Sequence, residues 1–249
     1  MKSKLAFGRE VCVPRLIASS KKNWSAMSVD LFLLKNIKKF VIINMSMQTL
    51  KLERGKKAIA IVAHPDDEII FMGGAIMKNP QIDWMVFSLC RASDKDREPK
   101  FWRVCKRNRV KGIIADLEDE DKMSVKQSLP IIEKLIKDNL KSKRYDYIFT
   151  HGANGEYGHK RHVGVHQSVK KLIKNKFLKP EAVFYFNYKR TGRKKIEAKS
   201  GTNCQLRLSK KELQTKREIV GHIYGYAMDG IDVGFCTNPE TFIKVEIKN

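Results

Sequence analysis

The chain has 249 residues, of which 42% are apolar and 31% charged, enough for one large single-domain enzyme or one domain with an extension. Fifty Lys and Arg against 27 Asp and Glu leave a net charge of +23, which biases the chain toward anionic partners, yet no run interleaves Arg with aromatics as a stacking platform for bases would. The five cysteines are scattered, odd in number and without a C-x-x-C pair, which argues against a disulfide framework and a Cys-based zinc site and suits a reducing, cytoplasmic setting.

Residues 1–57 carry thirteen Lys or Arg and three acids, and their apolar clusters keep no sustained period. They read as a basic N-terminal extension, poorly ordered or translated from an over-early start, with Met45 and Met47 just before the first convincing strand. The apolar stretch from Val29 to Met45 is broken by Lys35, Lys38 and Lys39, so nothing approaches the roughly 18 residues of a membrane span. Pro14 and Arg15 likewise interrupt the run a signal peptide would need.

From residue 58 to 249 the pattern is regular and reads as one domain. Ala58 to Ala63 is a short apolar run suited to a strand buried on both faces. A helix is expected over 69–78, a second buried strand over Ile82 to Cys90, and helices over Phe101 to Ile114 and Ser128 to Leu140. Tyr145 to Thr150 reads as a strand, His162 to Asn175 as a helix and Ala182 to Asn187 as a strand. Ser209, with Glu212 three residues on, caps a helix that runs to Ile223. Val233 to Ile247 closes the fold as an extended segment. Strands alternating with helices predict an α/β fold with a mainly parallel sheet.

Two constellations carry chemistry. His64, Pro65, Asp66, Asp67 and Glu68 directly follow the first buried strand, where an open α/β sheet binds its ligands. Four ionisable groups in five positions beside an apolar strand are costly without a purpose. His64 and Asp67 are three apart and can converge on one ion in a tight turn. Imidazole and carboxylate suit zinc, and also ferrous iron or manganese. Asp66 then points elsewhere and is free to take a proton. The second stretch, His151 to His166, holds four of the six histidines and follows the strand Tyr145 to Thr150. His159 and His162 share a face on a helix start. A catalytic zinc needs three protein ligands and one open position; His64, Asp67 and one histidine of this cluster supply them, and a second histidine remains to polarise a carbonyl or protonate a leaving amine. His166 reads as a surface histidine of a polar loop or as a packing residue. Arg91, Arg97 and Asp119 are the candidates for binding substrate hydroxyls.

A-H-P-D-D-E after the first strand, followed by Y-G-H-x-x-H, resembles the PIG-L/LmbE-like zinc N-deacetylases, from about Ala58 to the C-terminus. The resemblance also takes in the segment Leu89 to Arg97 and a late Tyr224-Gly225 pair. It implies a Rossmann-like fold and one catalytic zinc. By motif position it implies His64, Asp67 and His162 as ligands, Asp66 as general base, His159 as the group that stabilises the oxyanion or assists departure, and Tyr157 near the substrate carbonyl. Where many members have Pro-Asp between the two histidines, this chain has Lys160 and Arg161, a change toward positive charge that favours an anionic substrate. The implied reaction is deacetylation of an N-acetylglucosamine-type sugar or its conjugate. The alternatives are another metal-dependent amidase or esterase, such as a thiol-conjugate amidase, and a non-catalytic basic protein that binds nucleic acid or anionic membrane. The expected partner is a small glycoconjugate, with no specific nucleic acid and no membrane span; self-association into a homo-oligomer stays open.

Overall fold

The computed structural model describes residues 47–120, 122–140 and 144–247. The expectation for the basic extension up to residue 46 lies outside the described residues. In chain order the elements are β1 (Gln48–Thr49), β2 (Lys57–Val62), α1 (Asp67–Lys78), β3 (Asp83–Cys90), α2 (Arg97–Asn108), β4 (Lys111–Leu117), α3 (Val125–Asn139), β5 (Tyr147–Thr150), a single turn α4 (Gly155–Gly158), α5 (Lys160–Lys174), β6 (Ala182–Phe186), β7 (Tyr188–Gly192), β8 (Lys195–Ala198), β9 (Cys204–Leu206), α6 (Lys210–Glu218) running into a π turn (Ile219–Ile223), α7 (Ile231–Gly234) and β10 (Glu240–Glu246).

Eight strands form one sheet in the order β1-β9-β10-β6-β5-β2-β3-β4, and β7 with β8 makes a separate hairpin. The block from β6 to β4 is parallel throughout; β10 runs antiparallel between β6 and β9. This is the expected α/β Rossmann-like architecture. Ala58 to Val62 of β2 are all buried because apolar layers cover both faces. One layer gathers Phe71, Phe101, Val104 and Ile219 from α1, α2 and the π turn. The other gathers Ile132 and Ile136 of α3 with Val165 and Val169 of α5.

Two boundaries differ from expectation. Gln48 and Thr49 pair with β9, and Leu50 and Leu52 enter the core, so the packed unit begins before Lys57. The helix expected over Phe101 to Ile114 stops at Asn108. Arg109 takes a left-handed conformation (φ 54°) that ends it, and Lys111 to Leu117 become strand β4. Ile113 and Ile114 prolong the helical spacing of Phe101, Val104 and Cys105 by coincidence; their partners are Phe87 and Ser88 of β3.

Chain order places the site. From β2 the chain moves outward to β3 and β4, then returns to lay β5 on the other side of β2. The carboxyl ends of β2 and β5 therefore flank a crevice at the point where the strand order reverses. Helix α1 enters from this crevice and breaks at Met72 (φ −146°, ψ 17°). Backbone groups beside the break are met by side chains. The Tyr188 hydroxyl donates to Phe71 O at 3.0 Å. Gly74 N and Ala75 N donate to the two carboxylate oxygens of Glu240 at 2.7 and 2.9 Å. Lys216 Nζ donates to Glu240 Oε1 at 2.6 Å, and both side chains are fully buried.

A buried pair that loses one partner leaves an uncompensated charge, at a cost of about 3–5 kcal/mol. Lys216→Met is therefore expected to lower the unfolding free energy by about that much in urea titrations. Lys134→Ala, which breaks the exposed pair with Asp138, is expected to leave it unchanged within error. Equal effects at the two positions would contradict the role given to Glu240.

Candidate active site

His64 lies in the connection after β2, before the turn at Pro65 and Asp66, and Asp67 opens α1. The His64 backbone N–H donates to Asp67 Oδ2 at 2.8 Å, which folds the turn back on itself. His162, in the first turn of α5, arrives from the β5 side. Three atoms then meet: His64 Nδ1 lies 3.2 Å from Asp67 Oδ2, His162 Nε2 3.2 Å from His64 Nδ1 and His162 Nε2 3.4 Å from Asp67 Oδ2.

The protonation of each ring follows from its other nitrogen. His64 Nε2 is 2.8 Å from Asp119 Oδ1, and Asp119 Oδ2 accepts from Arg91 Nη2 at 2.8 Å. His162 Nδ1 is 2.6 Å from Glu156 Oε2. With a proton on each outward nitrogen, His64 Nδ1 and His162 Nε2 are both acceptors, facing each other and a carboxylate. Three ligand atoms about 2.0–2.1 Å from one tetrahedral zinc lie about 3.3 Å apart, so the donor set fits a metal in type and spacing. Asp119 and Asp67 outweigh the penalty of burial and push His64 up to about 10. The position attracts a positive charge, whether proton or metal.

The remaining expected residues border a cleft of about 300 Å³ beside this point. Asp66 sits at φ 131°, a backbone region that side chains rarely adopt. Arg97 Nη1 donates to Asp66 Oδ2 at 2.9 Å, and the Tyr226 hydroxyl donates to the same oxygen; Oδ1 accepts neither bond. Burial and the neighbouring Asp67 push Asp66 up to about 8, against the pull of Arg97, His64 and Tyr226. Glu68 braces the turn by accepting from Asp66 N at 2.9 Å and from the Tyr224 hydroxyl at 2.5 Å. His159 caps α5: its Nδ1 accepts from Arg161 N at 3.3 Å. Its proton therefore lies on Nε2, which makes that nitrogen a donor. Burial and nearby His64 lower its pKa, so it stays neutral. Tyr157 packs between the His159, His162 and Phe235 rings and lines the cleft.

Some expectations need adjusting. Arg91 and Asp119 line the cleft but are engaged with each other and with His64, and Arg97 is engaged with Asp66. Arg161 is buried and turned toward Glu118 Oε2 (2.8 Å) and Met123 O (2.9 Å), so it adds no positive charge to the cleft. The lining holds Asp66, Asp67, Asp94, Asp119 and Asp232 against Arg91 and Arg97. His166 packs, one of the two roles expected for it, with Nδ1 2.9 Å from His151 O and its ring against Tyr185. His151, Glu156 and Tyr226 were not singled out in the sequence. Their only signals are an acid in a glycine-rich loop, a histidine at a strand end and a tyrosine two residues after Tyr224.

Residues 59–173 match the family described as PIG-L, GlcNAc-PI de-N-acetylase. Over that stretch the chain is similar to the PIG-L/LmbE-like proteins. An uncharacterized protein of Acanthamoeba polyphaga mimivirus is 26% identical over 146 residues, which span 52% of this chain and 61% of that protein. Among solved structures, N,N'-diacetylchitobiose deacetylase from Pyrococcus horikoshii superposes with a TM-score of 0.52 at 14% identity, covering 90% of this chain and 95% of that one. The A40926 pseudoaglycone deacetylase Dbv21 gives 0.53 at 10% identity, covering 79% and 100%. GalB, a 4-carboxy-2-hydroxymuconate hydratase from Pseudomonas putida, gives 0.51 at 13% identity, covering 72% and 82%. At such identities the likeness is one of fold, and the hydratase shows that the PIG-L/LmbE-like fold does not by itself fix the reaction.

The Asp119 contacts make the site acid-sensitive. Burial opposes the Asp119 carboxylate, but His64 and Arg91 hold it down to about 2. A carboxylate depressed in the folded state adds stability above its unfolded pKa, about 3.9, and that stability is lost as pH falls toward 2. Chemical unfolding of metal-free protein between pH 5 and pH 2.5 is expected to show a steeper loss in wild type than in Asp119→Asn. Parallel slopes would contradict it.

Proposed function

We propose that this chain is a zinc-dependent amide hydrolase that removes the acyl group from an N-acetylglucosamine-type sugar or its conjugate. The observation that carries the reading is the convergence of His64 Nδ1, Asp67 Oδ2 and His162 Nε2 beside a separate carboxylate, Asp66. The family description supports the substrate class. A zinc or ferrous ion held by those three residues supplies a Lewis acid that polarises the scissile carbonyl and acidifies water.

The chain's own residues supply the rest. Asp66 takes the proton of the attacking water on Oδ1, while Arg97 and Tyr226 keep Oδ2 fixed. The same carboxyl then returns that proton to the departing sugar amine. His159, neutral with its proton on Nε2, donates to the oxygen that gains negative charge as the carbonyl is attacked. Tyr157 and Phe235 close one wall of the cleft against water. The rim carboxylates Asp94 and Asp232 suit hydroxyl groups of a neutral sugar. The four described cysteines are buried free thiols, which supports a cytoplasmic setting. Among the described residues no helix is long and apolar enough to cross a membrane.

The adjacent acids separate by experiment. Asp67→Ala is expected to lose zinc and activity together, by elemental analysis and by amine release from N-acetylated sugars. Asp66→Ala is expected to keep zinc and lose turnover by roughly 10²–10⁴-fold, the range for a positioned general base. If Asp66→Ala loses the metal and Asp67→Ala keeps it, the two roles are reversed.

A further inference from the structure

The loop between β5 and α5 holds a carboxylate that the proposed chemistry does not use. Glu156 is 1% exposed and sits at φ 56°, ψ −61°, a strained conformation for a residue with a side chain. Its backbone is clamped there. Asn154 Nδ2 donates to Glu156 O at 3.0 Å and to Tyr188 O at 2.9 Å. The neighbours permit the turn: Gly155 has φ 60°, and a Cβ on Gly152 would lie 2.2 Å from Phe186 O. The result is a buried carboxylate aimed at the back of the metal-ligand cluster.

Both of its oxygens are engaged. Oε1 accepts from Gly152 N at 2.7 Å. Oε2 faces two imidazole nitrogens, His162 Nδ1 at 2.6 Å and His151 Nδ1 at 2.9 Å. The two rings stack with centroids 3.8 Å apart. His151 Nε2 accepts from the Ala63 backbone N–H at 3.0 Å, so both His151 nitrogens are engaged. His151 is therefore no ligand, although its Nε2 lies 3.4 Å from Asp67 Oδ2. It ties Glu156 to the end of β2, one residue before His64. A continuous hydrogen-bonded path thus runs from Ala63 through His151 and Glu156 to His162, joining the two strand ends that carry the ligands.

We infer that Glu156 is a positioning residue that fixes His162 with its proton on Nδ1, so that Nε2 is presented to the metal before the metal arrives, with His151 holding Glu156 in place. The inference rests on His64, Asp67 and His162 being the ligands. Outer carboxylates of this kind orient a ligating imidazole and raise its basicity, and their loss costs roughly 10–100-fold in metal affinity. Glutamine at this position keeps the shape but offers one acceptor in place of two. It must turn its amide N–H₂ toward either Gly152 N–H or the two imidazole N–H groups, and either choice sets donor against donor.

The test compares full-length wild type with Glu156→Gln. Zinc affinity is read by competition with a chromophoric chelator, and the proton positions of His162 and His151 by ¹⁵N NMR of the metal-free proteins at neutral pH. The expected result is a zinc Kd raised about 10–100-fold in the variant, with Nδ1 protonation of His162 in wild type giving way to Nε2 protonation. Equal affinity in both proteins overturns the inference while leaving the ligand assignment intact. Wild type carrying the His162 proton on Nε2 alone overturns it whether or not the variant folds. Wild type that takes up no zinc removes the ligand assignment, and the inference with it.

Discussion

Two imidazole nitrogens and a carboxylate oxygen are held within 3.4 Å of one another inside the protein. Lone pairs brought this close repel unless a positive charge sits among them, and the low polarity of the surroundings magnifies the repulsion. The arrangement persists because each group is constrained from behind. Asp119 fixes His64, Glu156 fixes His162, and the His64 backbone N–H fixes Asp67. The same constraints that crowd these atoms together make the cluster a preorganised site for a positive charge. Strain marks the places where the chain is bent to build it. Asp66, Arg91 and Glu156 are three of the five described non-glycine residues with positive φ.

The scaffold absorbs that cost elsewhere. The reversal of strand order between β2 and β5 brings together two loops that are about a hundred residues apart, and the buried apolar layers on either side hold them in register. The break in α1 lets its first turn follow the crevice while the rest packs on the sheet; Glu240 and Tyr188 take up backbone groups at the break, and Lys216 pairs with Glu240. The larger surface cleft, about 1040 Å³, opens at the amino ends of the strands beside Lys57, Asp146 and Glu181. None of the converging histidines borders it, so size alone is a poor guide to where this protein does its chemistry.

The alternation of buried strands with amphipathic helices was legible in the sequence, and so were the two histidine-bearing segments at strand ends. Both signals are local: an apolar run such as Ala58 to Val62 declares itself within a few residues, and so does a group of ionisable residues placed after it. What was hidden depends on distant partners. Strand β4 looked like the end of a helix because Ile113 and Ile114 keep helical spacing from Phe101, and only the pairing with β3 makes them a strand. The hairpin β7–β8 is mostly exposed and shows no apolar alternation. Glu156 reads as an ordinary polar loop residue until the loop closes on His151 and His162. Tyr226 lies 160 residues from the Asp66 carboxylate it contacts, a distance over which no pattern in a single sequence carries information. Arg161 carried a false signal: charge at a position does not say which way the side chain turns.

Anomalous diffraction from zinc-loaded crystals, recorded on both sides of the zinc edge, tests the central assignment most directly. The predicted result is one strong peak about 2.0–2.1 Å from His64 Nδ1, His162 Nε2 and a carboxylate oxygen of Asp67, with His159 and His151 outside bonding distance. A peak ligated by His151 or His159 in place of any of the three, or no peak in the crevice between β2 and β5, would contradict the account.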